Sequence, residues 1–293
     1  MNDICHTFSV RPGRRIRIMG IINLTDNSYY PPSRCLDADS EDWSAKAVER
    51  AAEMIQNGAE ILDFGACSTR PGSSPVGEEE EWRRLAPALE AVKERFPLIS
   101  ISVDTYWPSV VERVHGLIGD FIINDITAGR GLYGSDDRQG RADMLSLAGR
   151  LSLPYVAMHM RGTPETMQGL CEYEDVTLEV LDYFKSFAKD AEYFGVQNWI
   201  LDPGFGFAKT IEQNYKLMRE LSKFMEMRRP ILVGISRKSM IYKRFGLTPE
   251  TSLPETQVLH YKALCNGADI LRVHDVAEAA RTVALYKELE NNN

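Results

Sequence analysis

Eight short apolar runs, rich in Ile, Val and Leu, recur along the chain, and a stretch with the periodicity of an amphipathic helix follows each of them. Apolar runs of four to eight residues are typical of parallel strands that are covered on both faces. Eight strands alternating with eight helices predict an α/β fold, the (β/α)8 TIM barrel, in which functional residues lie where strands end and mobile βα loops begin. The polar residues at or just after these predicted strand ends are Asn23, Arg70, Asp104, Asn124, Asp125, His159, Asp202, Lys238, Arg272 and His274.

The helical stretches carry their own end signals. The segment after Gly77 begins with four glutamates and ends with Lys93 and Arg95, which complements the helix dipole. A doubly wound sheet is the alternative fold, but it would not naturally give eight units that each end on such residues. Four helices are predicted to end at a glycine, the residue that commonly follows a helix C-terminus: Gly58, Gly116, Gly195 and Gly267.

The composition is that of one ordinary globular domain. The 293 residues are 44% hydrophobic, and barrels of roughly 250 residues commonly form one domain, so we expect a single domain over 1–293 with its core at about 16–286. The net charge of -8 argues against a nucleic-acid-binding surface. No signal peptide or membrane span is recognisable, and five cysteines without CxxC spacing favour a reducing compartment. We therefore expect a cytoplasmic protein without nucleic-acid or membrane partners.

Several polar strand ends would converge at one mouth of such a barrel. Buried charges without partners are costly, so these side chains need a ligand or one another. A carboxylate such as Asp202 suits a planar heterocycle with adjacent N–H donors, whereas Lys238 and Asn124 can serve its carbonyl and nitrogen acceptors. The alternative is a purely structural charge network across the barrel top.

A second group of strand-end residues suits an anion. Arg272, His274 and Asn23 can hold a phosphate-like group or its metal ion. Ser239 stands at a predicted helix start, where backbone N–H groups favour anions. The segment 67–77, dense in Gly, Pro and Ser, is a candidate loop for closing over the ligand.

Eight motifs in a fixed order resemble the dihydropteroate synthases, over about residues 16–286. They are GIINLT, STRPG, ISVDT, IIND, MHMRGTPETMQ, ILDPGFGFAKT, GISRKS and GADILRVHDV. The resemblance implies a transferase of folate biosynthesis. It joins (7,8-dihydropterin-6-yl)methyl diphosphate to 4-aminobenzoate and gives 7,8-dihydropteroate and pyrophosphate by a dissociative, SN1-like substitution. It also implies Mg²⁺ as cofactor, a homodimer and a target of sulfonamides.

The resemblance assigns a role to each motif residue. The pterin-binding residues are Asp104, Asn124, Asp202 and Lys238. The diphosphate-binding residues are Asn23, Thr69, Arg272 and His274, and Asn23 is also the metal ligand. The residues for 4-aminobenzoate are Thr69, Arg70, Pro71, Phe207 and Ser239. The implied catalytic residues are Asn23, Thr69, Arg70, Lys238, Arg272 and His274.

Two loops depart from the family pattern. Pro31 stands where the family has an aspartate thought to support the cation, so either Asp26 or Asp37 substitutes or that contribution is absent. In the second loop, Ala66 and Cys67 replace a Gly-Glu pair, which changes loop support rather than a ligand-binding residue.

Three other functions remain alternatives. A methyltetrahydrofolate corrinoid methyltransferase belongs to the same barrel group, but STRPG, SRKS and RVHD serve groups that a methyl donor lacks. The altered first loop suggests a non-catalytic pterin-binding module as a further possibility. The last is a barrel enzyme of unrelated function.

Overall fold

A computed structural model describes residues 14–25, 43–67, 76–131 and 138–290 of the chain. Eight short parallel strands form one sheet, as the apolar runs predict. Their bounds are β1 Arg17–Asn23, β2 Ile61–Gly65, β3 Ser100–Asp104, β4 Ile122–Asp125, β5 Tyr155–Met158, β6 Trp199–Asp202, β7 Leu232–Val233 and β8 Ile270–Val273.

The sheet closes on itself. Each strand from β1 to β5 pairs in parallel with the next along the chain, and β8 lies between β1 and β7. A parallel bridge between Leu201 and Ile231 joins β6 to the start of β7. The predicted (β/α)8 barrel is therefore confirmed, and the doubly wound alternative is wrong, because an open sheet would leave two unpaired edge strands.

Helices surround this barrel and alternate with its strands. The β7 unit contributes two of them, because a short helix precedes the one that packs on the barrel. Their bounds are α1 Trp43–Gln56, α2 Glu78–Arg95, α3 Pro108–Ile118, α4 Arg138–Leu151, α5 Val176–Tyr193, α6 Ile211–Arg219, α7 Ser239–Phe245, α8 Leu253–Cys265 and α9 Val276–Glu290. Among the described residues, no helix has the length and apolarity needed to cross a membrane.

The predicted end of α3 at Gly116 is wrong. The helix continues to Ile118 and ends at Gly119, whose φ is 76° and whose N–H donates to the carbonyl of His115. Val114 and Ile118 continue the buried face of the helix one turn past the predicted end. This apolar spacing is a stronger signal than a glycine that the helix can accommodate.

Two layers of side chains fill the barrel interior at the level of the strands. The lower layer is apolar and fully buried: Met19, Ile61, Ile122, Val156, Ile200, Leu232 and Ile270. Successive side chains on a strand alternate between its faces, so residues two positions further on point inward again, nearer the C-terminal ends. Four of these next residues are polar: Asp63, Asn124, Asp202 and Arg272. The polar groups therefore rest on an apolar plug.

Candidate active site

Asp63 of β2 is the centre of a hydrogen-bond network at the C-terminal end of the barrel. Its carboxylate is fully buried and accepts a hydrogen bond from Ser102 Oγ at 2.5 Å. Asn124 Nδ2 donates to both of its oxygens, at 3.2 Å each. Arg272 Nε donates to Asp63 Oδ2 at 2.6 Å. Asp63 thus fixes the orientation of two residues that the resemblance assigns to substrate. We call Asp63, Asp104, Asn124, Asp202 and Arg272 the polar layer.

Arg272 connects two carboxylates across the barrel. Besides Asp63 it contacts Asp104, with Nη2 to Oδ2 at 2.9 Å. Both carboxylates raise the pKa of the guanidinium above its usual value, against the effect of burial. The permanent cation is therefore held in one place before any ligand arrives.

Asp104 and Asn124 are neighbours because β3 and β4 pair in register at these two residues. Burial raises the pKa of the Asp104 carboxyl to about 7, although Arg272 acts in the opposite direction. The nearby carboxylates of Asp63 and Asp202 add to the rise. Asp104 thus stands where a ligand N–H donor would replace lost solvation and favour the ionised form.

Asp202 and Lys238 form the opposite side of the mouth. Burial raises the pKa of Asp202, and Lys238 is the first of the charges that lower it. Burial lowers the pKa of Lys238 to about 8, and Asp202 opposes this shift. The Lys238 ammonium donates to the carbonyl oxygen of Phe205 at 2.5 Å and lies 4.6 Å from the ring centroid of Phe207. The lysine follows β7 by five residues and is the N-cap of α7.

The predicted anion-binding residues lie at the ends of β1 and β8 and at the start of α7. Asn23 is the last residue of β1 and is partly buried. His274 follows β8, and its Nδ1 lies 3.2 Å from Ser236 Oγ. Burial, followed by the charges of Arg272 and other arginines, lowers the pKa of His274 to about 3, so its ring is neutral. Ser239 is the first residue of α7.

The second loop begins at Ala66 and Cys67. Ala66 is fully buried, and its carbonyl oxygen accepts from Arg84 Nη1 at 3.2 Å. The thiol of Cys67 lies 3.7 Å from Tyr106 Oη, and burial raises the pKa of that thiol. The substituted pair therefore packs against α2 and the end of β3.

Several predicted residues lie outside the described part of the chain. They are Asp26, Pro31 and Asp37 of the first loop and Thr69, Arg70 and Pro71 of the second.

One strand-end residue faces away from the mouth. Asp125 accepts hydrogen bonds from Tyr155 Oη at 2.5 Å, from the N–H and hydroxyl of Thr127, and from the N–H of Gly129. It follows Asn124 directly, so it points to the opposite face of β4. Asp125 therefore supports the loop after β4 and does not belong to the polar layer.

Asp63 and Lys209 are among the buried charged residues that were not predicted from the sequence. Asp63 could have been found, because a lone carboxylate at even spacing from Ile61 inside an apolar run must face the barrel interior. Lys209 stands in the motif ILDPGFGFAKT, but its burial could not be predicted, since a lysine just before a helix is normally exposed. Its ammonium lies 2.9 Å from Nδ1 of His159 and is buried.

The geometry now defines a binding surface. Carboxylates on two sides, Asp104 and Asp202, can accept from a flat ligand, while Asn124 and Lys238 can donate to it. Arg272 adds a permanent positive charge at the margin. Together these groups can hold a planar, polar heterocycle over an apolar base.

Comparison with known proteins identifies the family. The model of the family "Pterin binding enzyme" matches residues 19–274. A dihydropteroate synthase of Escherichia coli (strain K12) is 39% identical over 272 residues, which cover 92% of this chain and 90% of that protein. The chain belongs to the dihydropteroate synthase family. The resemblance inferred from eight motifs is therefore confirmed.

Solved structures of family members share the fold. The dihydropteroate synthase of Yersinia pestis, in a sulfonamide drug complex, is 32% identical with a TM-score of 0.83, and the match covers 94% of each chain. The dihydropteroate synthase of Thermus thermophilus, in complex with 4-aminobenzoate, is 37% identical with a TM-score of 0.79. That match covers 94% of this chain and 95% of the other.

Proposed function

We propose that this chain is a transferase that condenses (7,8-dihydropterin-6-yl)methyl diphosphate with 4-aminobenzoate, giving 7,8-dihydropteroate and pyrophosphate. The observation that carries the proposal is the polar layer, which gathers the pterin-complementary groups above an apolar plug. Membership of the dihydropteroate synthase family supports the same activity.

The pterin ring is recognised by groups on both sides of the mouth. Asp104 and Asp202 accept hydrogen bonds from the N–H groups of the ring, and Asn124 and Lys238 donate to its carbonyl and nitrogen acceptors. Asn124 is already oriented by Asp63, at 3.2 Å to each oxygen. Binding therefore requires little rearrangement of this residue.

The diphosphate lies toward the ends of β1 and β8. Arg272 and His274 supply the positive charge and donors, and the neutral His274 gains a proton more readily once the anion is next to it. The residues also fit Mg²⁺. Asn23 Oδ1 lies 4.0 Å and Asp104 Oδ2 3.9 Å from where a Cβ on Gly65 would stand, so the bare glycine leaves room beside hard oxygen atoms. Asn23 would hold the ion together with the diphosphate, and the bound ion would neutralise charge on the leaving group.

The reaction is a dissociative substitution at the pterin methylene carbon. The bond from this carbon to the diphosphate oxygen breaks first and leaves a cation delocalised into the pterin. The amino nitrogen of 4-aminobenzoate then attacks the carbon and afterwards loses a proton. The task of the site is to stabilise the leaving anion and exclude water, so no side-chain nucleophile is needed.

The 4-aminobenzoate pocket lies beside Lys238. The Phe207 ring, which already contacts the ammonium of Lys238 at 4.6 Å, forms one wall. Ser239 at the start of α7 lies next to the substrate carboxylate. We assign Thr69, Arg70 and Pro71 to the same pocket from the sequence resemblance. A homodimer and a cytoplasmic location stay predictions of the sequence.

Release of pyrophosphate tests this function. Purified protein with Mg²⁺ and the pterin diphosphate should release pyrophosphate continuously only when 4-aminobenzoate is present. Pterin binding by calorimetry without such release would instead select the non-catalytic module. Methyl transfer from methyltetrahydrofolate to a corrinoid would select the methyltransferase. Binding of neither pterin nor 4-aminobenzoate would point to an unrelated activity.

A further inference from the structure

The loop that follows β6, residues 203–209, has a backbone that needs external support. Gly204 and Gly206 have positive φ angles of 69° and 82°, and Ala208 has a φ of 48°. A left-handed conformation is unfavourable for a residue with a side chain, such as Ala208. Gly204 also packs so closely on β5 that a Cβ would stand 2.0 Å from the carbonyl oxygen of His159. The loop therefore holds one unusual shape.

Lys209 holds this loop from inside the protein. Its side chain is buried, and its Nζ contacts the carbonyl oxygens of Gly204 and Phe207 at 3.0 Å each and Nδ1 of His159 at 2.9 Å. Burial, followed by the charge of Lys209, keeps the pKa of His159 well below its usual value, so the ring is neutral and its Nδ1 can accept. Burial lowers the pKa of Lys209 to about 7, although the charge of Asp202 opposes this shift. In its protonated form the side chain has three N–H donors, and three acceptors lie within hydrogen-bond distance.

The same loop faces the site on its other side. Its first backbone N–H groups include that of Gly204, which donates to Asp202 Oδ1 at 2.8 Å. The carbonyl of Phe205 accepts from Lys238, and the ring of Phe207 lies against that ammonium. Two lysine side chains therefore contact the backbone of this loop. Lys238 contacts it from the mouth of the barrel, and Lys209, its last residue, contacts it from the buried side.

We propose that Lys209 is a positioning residue for 4-aminobenzoate. It binds the carbonyl of Phe207 and so fixes the direction of the aromatic ring, without touching either substrate itself. Asn214 of α6 supports the loop at a second place, since its Oδ1 accepts from the N–H of Gly206 at 2.7 Å. The proposal rests on the proposed function, because the pocket beside Phe207 takes 4-aminobenzoate only in that reaction.

Lys209→Met tests the proposal, because methionine keeps an unbranched chain and removes all three donors. The KM for 4-aminobenzoate should rise about tenfold, equivalent to about 1.4 kcal/mol. The dissociation constant of the pterin diphosphate should change less than twofold by calorimetry, because Asp63 and Arg272 are untouched. Lys223→Met is the matched control, since Lys223 is an exposed lysine paired with Glu220. This control should leave both constants unchanged.

A double variant separates positioning of Phe207 from a general structural role. If Lys209 acts through the aromatic ring, the KM for 4-aminobenzoate of the double variant should exceed that of Phe207→Ala by less than twofold. A full tenfold addition, or an equal loss of affinity for both substrates, would overturn the proposal. If Lys209→Met does not fold, Lys209→Gln retains two N–H donors and should give a smaller rise in the same KM.

The two proposals fail in different ways. Absence of product from the unaltered protein contradicts the proposed function. Calorimetric titration of 4-aminobenzoate into protein with pterin and pyrophosphate tests Lys209 without turnover. There, an unchanged affinity in Lys209→Met contradicts the role of Lys209 alone.

Discussion

Replacing Asp63 by asparagine should damage both the stability and the pterin site of this protein. The two side chains have nearly the same shape, but an amide turns an N–H₂ group toward neighbours that are themselves donors. The amide oxygen can accept the 2.6 Å bond from Arg272 only if the N–H₂ group faces Ser102, whose hydroxyl must then accept, and Asn124 Nδ2, which loses one of its two contacts. Hydrogen bonds to charged groups contribute about 1.5–3 kcal/mol each. Arg272 keeps its contact with Asp104, so we expect a loss of about 3 kcal/mol in the free energy of unfolding.

The loss should be visible in two assays. Chemical denaturation should give the lower free energy of unfolding, and the melting temperature should fall by roughly 5 °C. Because Asn124 and Arg272 lose their common partner, kcat/KM for the pterin diphosphate should fall about 100-fold, equivalent to about 2.7 kcal/mol. Asp182→Asn is the control, since Asp182 is exposed and pairs only weakly with Lys185 at 3.3 Å. If Asp63→Asn behaved like this control in both assays, the central place given to Asp63 would be wrong.

Three other changes give distinct outcomes. Asp104 accepts from the pterin in its ionised form, and its pKa is raised to about 7. Pterin affinity should therefore fall by up to about tenfold per pH unit below 7. In Asp104→Asn, calorimetry should show a weaker affinity that depends less on pH. An equally steep dependence of affinity on pH in this variant would exclude Asp104 as the titrating group. Lys238→Met should weaken binding of the pterin diphosphate by about 100-fold in the same assay, as expected for loss of a buried charged donor, and unchanged affinity would contradict its assignment. Tyr155→Phe removes the 2.5 Å hydrogen bond to Asp125 and should lower the free energy of unfolding by about 2 kcal/mol. Its kcat/KM should stay within twofold of that of the unaltered protein. A large loss of activity with intact stability would instead place Asp125 in the site.

The raised pKa of Asp104 also has a consequence for stability. The folded protein keeps the proton on Asp104 up to about pH 7, whereas the unfolded chain releases it near pH 4. The folded state therefore binds more protons between these values, and this group's contribution to stability falls as the pH rises from about 4 to about 7. Chemical denaturation between about pH 4 and pH 7 should show that the free energy of unfolding falls less steeply with pH in Asp104→Asn than in the unaltered protein.

The sequence predicted the architecture because the barrel repeats one pattern eight times. Each apolar run supplies a strand, and parallel strands place their C-terminal ends together, so Asp104, Asn124 and Asp202 could be placed at one mouth. The alternation of side chains also separates Asn124 from Asp125, although both follow the same run. Both were predicted as strand-end residues of the site, and the contact between Asp125 and Tyr155 agrees with the alternation in placing Asp125 on the outer face.

Contacts between distant loops could not be predicted in this way. Lys209 meets His159 across 50 positions of sequence, and no periodicity relates a residue before α6 to one after β5. The predicted end of α3 at Gly116 failed for a different reason, since a local signal competed with buried apolar residues. Side-chain packing, which no single segment contains, decided both outcomes.

The central claim is that the polar layer binds a pterin diphosphate and the chain joins it to 4-aminobenzoate. The most direct measurement is mass spectrometry of the products formed by purified protein with Mg²⁺ and both substrates, alongside Lys238→Met. We predict one 7,8-dihydropteroate for each pyrophosphate released, formed about 100-fold more slowly by the variant at subsaturating pterin diphosphate. Absence of dihydropteroate with enzyme and substrates at equal concentration would contradict the claim, as would equal rates for the two proteins.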